Sequence, residues 1–156
     1  METMKTLFAC LGTLAAGILL GVPGASAAGV EAVDQDYVKA HAGRTGVVLV
    51  DVRSPEVYGG LSPRAGIPGG HIPGAINFPL ADLDRPDASE ALARAGLTRD
   101  AEIIVYCNTG RQSARFIDRL VGSFGFDPSR VKNYTGSMTD WSRNPENPIE
   151  TGTAKP

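Results

Sequence analysis

Apolar residues along the chain fall into short, separated blocks, and two of these blocks are continuous. Val47-Val48-Leu49-Val50 is closed by Asp51, and Ile103-Ile104-Val105-Tyr106 is closed by Cys107. Unbroken β-branched runs of this length predict strands buried on both faces, as in a parallel sheet. Shorter runs at 75–78 and 131–134 predict two further strands. Between the strands the period changes. Residues 33–41 bring Val33, Tyr37 and Val38 near helical spacing and predict a short helix, ended by Gly43. Ser54-Pro55-Glu56 reads as a helix start, with Ser54 as cap and Pro55 at the first helical position. Residues 88–97 predict a helix with Leu92 and Ala95 inward. Residues 114–124 set Phe116, Ile117, Leu120, Val121 and Phe124 at i, i+1, i+4, i+5 and i+8, one core-facing stripe. A last short helix is expected at 137–141. Strands alternating with helices predict an α/β layered domain with a mainly parallel sheet.

Three segments fall outside that alternation. Residues 59–74 hold six glycines and three prolines, and a loop of that length inside a domain is often functional. The polar tail at 143–156, with Pro145, Pro148 and Pro156, is expected to be loosely held. At the other end, Lys5 precedes sixteen uncharged residues at 7–22, and Ala25-Ser26-Ala27 follows them. That order predicts a secretory signal cut after Ala27. The run is shorter than the roughly 20 residues a spanning helix needs, so no stable membrane anchor is expected. The expected organisation is a leader at 1–27, one domain at 28–150 and a flexible end at 151–156, in a protein exported to a periplasmic compartment.

Charge and cysteine count narrow the chemistry. Fifteen Lys and Arg against 17 Asp and Glu give a net charge of −2, so no basic excess points to nucleic acid. Of the two cysteines, Cys10 belongs to the expected leader and only Cys107 remains. Exported compartments favour disulfides, so a lone thiol there is buried and inert, intermolecular, or reactive.

The surroundings of Cys107 favour the last. Cys107-Asn108-Thr109-Gly110-Arg111-Gln112, with Ser113 following, lies between a predicted strand and a predicted helix. The C-terminal edge of a parallel sheet is where α/β folds place ligands. Free N–H groups of the loop and the helix start, with the positive end of the helix dipole, form an anion cradle. Such a cradle favours anionic sulfur. Gly110 permits a positive φ or a close backbone approach, and Arg111 adds a cation. The alternatives are weaker. His41 and His71 lack a motif that would make either a base for Cys107, and His71 reads as a packed loop residue. One Cys and two scattered His have no ligand spacing, so neither metal nor cofactor is expected. Asp51 and Arg53 are expected to bond locally and fix a strand-to-helix turn near the site, and Trp141 reads as core cover.

These residues resemble the single rhodanese domain, the sulfurtransferase module. The matching stretches are Val48-Leu49-Val50-Asp51-Val52-Arg53 with Glu56 and Tyr58, then Gly70-His71-Ile72-Pro73-Gly74-Ala75-Ile76-Asn77. Val105-Tyr106-Cys107 with its loop follows, and then Tyr134-Thr135-Gly136-Ser137 with Trp141. The resemblance implies a rhodanese-like five-stranded parallel sheet flanked by helices on both faces. It also implies a Cys107 persulfide formed from a small anionic sulfur donor such as thiosulfate and passed to cyanide, a thiol or a protein acceptor. A carrier that receives persulfide from a partner, with little turnover on thiosulfate, is the alternative. The chain departs from the pattern at the sixth loop position, where many members have Arg and this chain has Gln112, with Arg111 one place earlier. The insertion 59–69, carrying Arg64, resembles the catalytic half of tandem sulfurtransferases, although Val57 stands where those have Arg. Arg111 and then Arg64 are the candidate substrate cations. Related cysteine phosphatases place an Arg where this chain has Ser113, which argues against phosphoryl chemistry.

Overall fold

The computed structural model describes residues 29–153. The expected leader and the final three residues lie outside the described residues. Strands β1 (Glu31–Val33), β2 (Val47–Asp51), β3 (Ile76–Asn77), β4 (Glu102–Tyr106) and β5 (Val131–Tyr134) form one sheet in the order β1-β5-β4-β2-β3. Every neighbouring pair is parallel. The two unbroken apolar runs are the two strands with the longest shared ladder, from Val47 opposite Glu102 to Asp51 opposite Tyr106. They lie inside the sheet, which is why they need no polar face.

Helices cover both faces, and alternate residues of each strand select the layer. Ile103 and Val105 of β4 point into a core with Leu92 of α3 (Ala88–Arg94) and Phe116, Ile117 and Leu120 of α4 (Arg111–Gly122). Ile104 and Tyr106 point the other way, into a core with Val38 of α1 (Gln35–His41) and with Met138 and Trp141 of α5 (Ser137–Trp141). The short α2 (Pro55–Gly59) follows β2 and sends Tyr58 into this second core.

Several boundaries differ from the sequence reading, among them the end of α3, which stops at Arg94 rather than 97. Residues 31–33 form an edge strand beside β5, and the helix begins at Gln35. The Asp34 side chain accepts from the Tyr37 N–H at 2.9 Å, so an N-cap separates two elements that the apolar spacing merges. The third strand shrinks to Ile76–Asn77. α4 starts at Arg111 rather than at 114, because Gly110 turns into the helix with φ 81°. It ends at Gly122, which leaves Phe124 beyond the helix but packed on the core.

The tail is docked, against the expectation of a loose end. Asn147 Nδ2 donates to the Trp141 carbonyl at 2.8 Å and to Gln35 Oε1 at 2.7 Å. Trp141 Nε1 donates to the Pro148 carbonyl at 3.0 Å. The backbones of His71 and Glu150 exchange N–H···O bonds of 2.8 and 2.9 Å, and the Gly152 N–H reaches the Gly59 carbonyl at 3.0 Å. Polarity hid this docking, because backbone and amide groups hold most of the tail and Ile149 alone adds an aliphatic side chain to the second core.

Candidate active site

Cys107 is the first residue past the C-terminal end of β4, and its side chain is 1% exposed. The start of α5 anchors it from below. Ser137 has the one positive φ of a non-glycine residue among the described residues, 52°. That turn aims its hydroxyl at the strand end, where it accepts the Cys107 N–H at 3.1 Å and donates to the Tyr134 carbonyl at 2.8 Å. The carbonyls of Cys107 and Asn108 accept from the N–H groups of Met138 at 3.1 Å and Thr139 at 3.0 Å. These two carbonyls are therefore turned onto α5. Two hydroxyls stand near Sγ, that of Ser113 at 3.8 Å and that of Ser137 at 3.9 Å. Ser113 also sits 2.8 Å from Asn133 Oδ1 and 3.0 Å from the Gly110 carbonyl.

The other side of the loop carries unused donors. The first helical bond at this end of α4 is from the Ala114 N–H to the Gly110 carbonyl, at 3.2 Å. From Asn108 through Ser113 no backbone N–H has an acceptor among the described residues. A loop whose N–H groups are free while the carbonyls of Cys107, Asn108 and Gly110 are bonded can receive an anion. Gly110 makes this geometry possible. Its φ is 81°, and a Cβ there would lie 2.5 Å from the Thr135 carbonyl oxygen.

A cavity of about 310 Å³ opens over Cys107, lined by Asn108, Thr109, Arg111, Gln112, Pro63, Arg64 and Arg115. The structure thus brings Cys107, Arg111 and Arg64 together, and it adds Arg115. The sequence reading missed Arg115 because it began the helix three residues late. Once Arg111 is the first helical residue, Arg115 lies at i+4 on the same face. Ser137 was also missed, since a left-handed serine has no sequence signature comparable to that of glycine.

Asp51 and Arg53 lie beneath the pocket, 0% and 1% exposed. Arg53 Nε donates to Asp51 Oδ1 at 2.9 Å and Oδ2 at 3.1 Å. Its Nη2 bonds both Asp51 and the Gly70 carbonyl, and its Nη1 reaches Asn108 Oδ1 at 3.2 Å. Burial pulls the Arg53 pKa down, but the Asp51 hydrogen bonds and charge outweigh it and hold the guanidinium charged. One cation therefore joins β2, the long loop and the cysteine loop. Tyr106, whose hydroxyl accepts the Ile72 N–H at 3.0 Å, is pushed well above the usual phenol range, chiefly by burial. His71 is not brought to Cys107. It stacks on Tyr58 with centroids 3.6 Å apart and lies 3.5 Å from Glu150, at a separate cavity. His41 stacks on Tyr37, and Trp141 packs under Lys39.

Comparison with known proteins gives the fold its relatives. The chain is 34% identical over 124 residues to a thiosulfate sulfurtransferase of Pseudomonas aeruginosa, covering 74% of this chain and 44% of that protein. It is 37% identical over 119 residues to the sulfur carrier protein TtuD of Thermus thermophilus, covering 67% of this chain and 41% of that protein. The chain thus spans less than half the length of these curated relatives. Among solved structures it superposes on the anaerobic ergothioneine biosynthesis enzyme of Chlorobium limicola with TM-score 0.69 and 25% identity, over 79% of this chain and 28% of that one. The wild-type structure of EanB gives TM-score 0.71 at 24% identity, over 78% and 28%, a likeness of fold. Residues 34–144 match the family profile of the rhodanese-like domain, and the chain belongs to that family.

Proposed function

We propose that the protein is a sulfurtransferase that takes sulfane sulfur from thiosulfate, or a related anionic donor, and passes it through a Cys107 persulfide to a thiophilic acceptor. The observation that carries this reading is the cavity over Cys107, which joins one sulfur nucleophile to unpaired N–H donors and arginines. Cys107 Sγ attacks the outer sulfur of thiosulfate. The new Sγ–S bond forms as the old S–S bond breaks, and sulfite leaves with the electron pair. The persulfide anion then rests among the loop N–H groups, which are already oriented and cost no reorganisation. Cyanide or a thiolate attacks the outer sulfur, and the electron pair of the Sγ–S bond returns to Cys107. Arg111 draws in the donor and helps sulfite depart. The domain works in an exported setting, after removal of residues 1–27.

The test is thiocyanate formation from thiosulfate and cyanide. Wild-type protein turns over, and it gains the mass of one sulfur atom on Cys107 when given thiosulfate alone. Cys107→Ser folds and loses both signals. Near wild-type turnover by Cys107→Ser refutes the reading. Arg111→Ala raises the thiosulfate KM and lowers kcat/KM about 10–100-fold, roughly 1.4–2.7 kcal/mol. The similarity to a protein named as a sulfur carrier favours a second reading, persulfide relay without thiosulfate turnover. That reading gains if wild-type protein accepts sulfur from a persulfide donor but not from thiosulfate. The exported protein has its N-terminus at Ala28, and an intact leader on it would refute that part.

A further inference from the structure

We propose that Arg115 holds a second anionic group of the sulfur acceptor, so that the site prefers small thiols carrying more than one carboxylate. The inference rests on the sulfur-transfer reading for its chemistry and on an electrostatic imbalance for its site. Arg64, Arg111 and Arg115 line the cavity, and no acidic side chain lines it. No side chain of the three makes an ion pair or a hydrogen bond among the described residues, whereas those of Arg53, Arg85, Arg94 and Arg119 do both. Asp118, three residues after Arg115, does not pair with it.

The arrangement is unfavourable for the empty protein in two independent ways. Arg111 is the first residue of α4, a cation at the positive end of a helix dipole, and no acid stands in that first turn. Arg111 and Arg115 also repel each other at i, i+4. Anions relieve both. One sulfur-side anion satisfies Arg111 and the loop N–H groups. Arg115 sits about 6 Å further along the helix at 1.5 Å per residue, and Arg64 belongs to the long loop between α2 and β3. The cavity's 310 Å³ is at the scale of sites for organic ligands, roughly 300–1,000 Å³. It has room for a thiol and two carboxylates at once. In the transfer step the thiol R–SH meets the persulfide. The R–S···S bond forms and the Sγ–S bond breaks. The products are R–S–S⁻ and the Cys107 thiol, which takes up the proton that R–SH gives up. No other reactant is needed.

The experiment measures kcat/KM for transfer from the thiosulfate-loaded protein to mercaptosuccinate and to 2-mercaptoethanol, and takes the ratio of the two. Arg115→Gln lowers that ratio about tenfold, the scale of a charge-assisted hydrogen bond. Arg115→Lys recovers part of it. In parallel, mercaptosuccinate raises the Tm of the wild type more than that of Arg115→Gln, a binding readout that needs no turnover. Without ligand, Arg115→Gln melts no lower than wild type, because it removes a repulsion. An unchanged ratio, equal stabilisation of the two proteins, or a lower ligand-free Tm each overturns the proposal. Stabilisation that depends on Arg115, with no transfer to either thiol or to cyanide, supports the subsite and instead overturns the sulfur-transfer reading.

Discussion

Replacing Arg53 by Met should be among the most damaging single changes in the domain, and the structure says how damaging. Asp51 and Arg53 are 0% and 1% exposed, and Arg53 donates to both carboxylate oxygens of Asp51. In Arg53→Met the carboxylate keeps only neutral partners, the backbone N–H of residue 53 at 3.0 Å and the nearby Tyr106 hydroxyl. The Gly70 carbonyl and Asn108 Oδ1 lose their donor as well. Breaking a buried pair from one side costs about 3–5 kcal/mol, because a charge stays behind without its counterion. Against a total stability of about 5–15 kcal/mol for a domain, that is a third or more in many cases. Asp51→Asn in the Arg53→Met background removes the stranded charge and should recover about 2 kcal/mol or more, a coupling that a double-mutant cycle isolates. Urea unfolding followed by fluorescence is a clean assay, since Trp141 is the single tryptophan. The exposed pair Arg85–Asp87 serves as control, and Arg85→Gln should leave the midpoint almost in place. If Arg53→Met costs less than about 1 kcal/mol, or if the double variant is no more stable than Arg53→Met, the pair is not what ties β2 to the cysteine loop.

Three further outcomes can be checked by other means. Gly110 and Gly74 both have positive φ, 81° and 77°, but only Gly110 has a carbonyl where a Cβ would go. Gly74→Ala should therefore show the strain of its backbone alone, about 1–2 kcal/mol, while Gly110→Ala costs more and slows alkylation of Cys107; equal melting points would refute the clash. The Arg85 hydrogen bond holds the Asp87 carboxyl below the usual carboxylate range, with Arg94 adding to it. A depressed folded value stabilises above the unfolded pKa, and that contribution fades as pH falls through the folded one. NMR titration should show the Asp87 midpoint rising in Arg85→Gln, and no movement would exclude the pairing. Asn147→Ala removes two hydrogen bonds that pin the tail. It should cost about 1–3 kcal/mol and shift Trp141 emission to the red as the Pro148 contact loosens, whereas unchanged emission would mean the tail is held elsewhere.

The sheet was legible because its chemistry is repetitive. Val47–Asp51 and Glu102–Tyr106 are interior strands, and an interior parallel strand has no solvent side on which to place polar residues, so its run is unbroken. β1 was illegible for the opposite reason. It is an edge strand of three residues with only Val33 buried, and backbone bonding to β5 rather than its own side chains makes it a strand. The place of Cys107 between a strand and a helix was legible because both flanking patterns are strong, and the four stretches that carry the family resemblance include it. The place of Arg115 at the cavity was not, because it depends on where α4 begins. Gly110 sets that point through one dihedral angle, and a shift of three residues in the helix start changes which side chains share the face with Arg111. The same glycine turns into the helix, frees the N–H groups of the loop and sets the phase of the arginines. The anion receptor and the cations around it are thus one consequence of a single backbone choice, and they should be lost together when Gly110 is replaced.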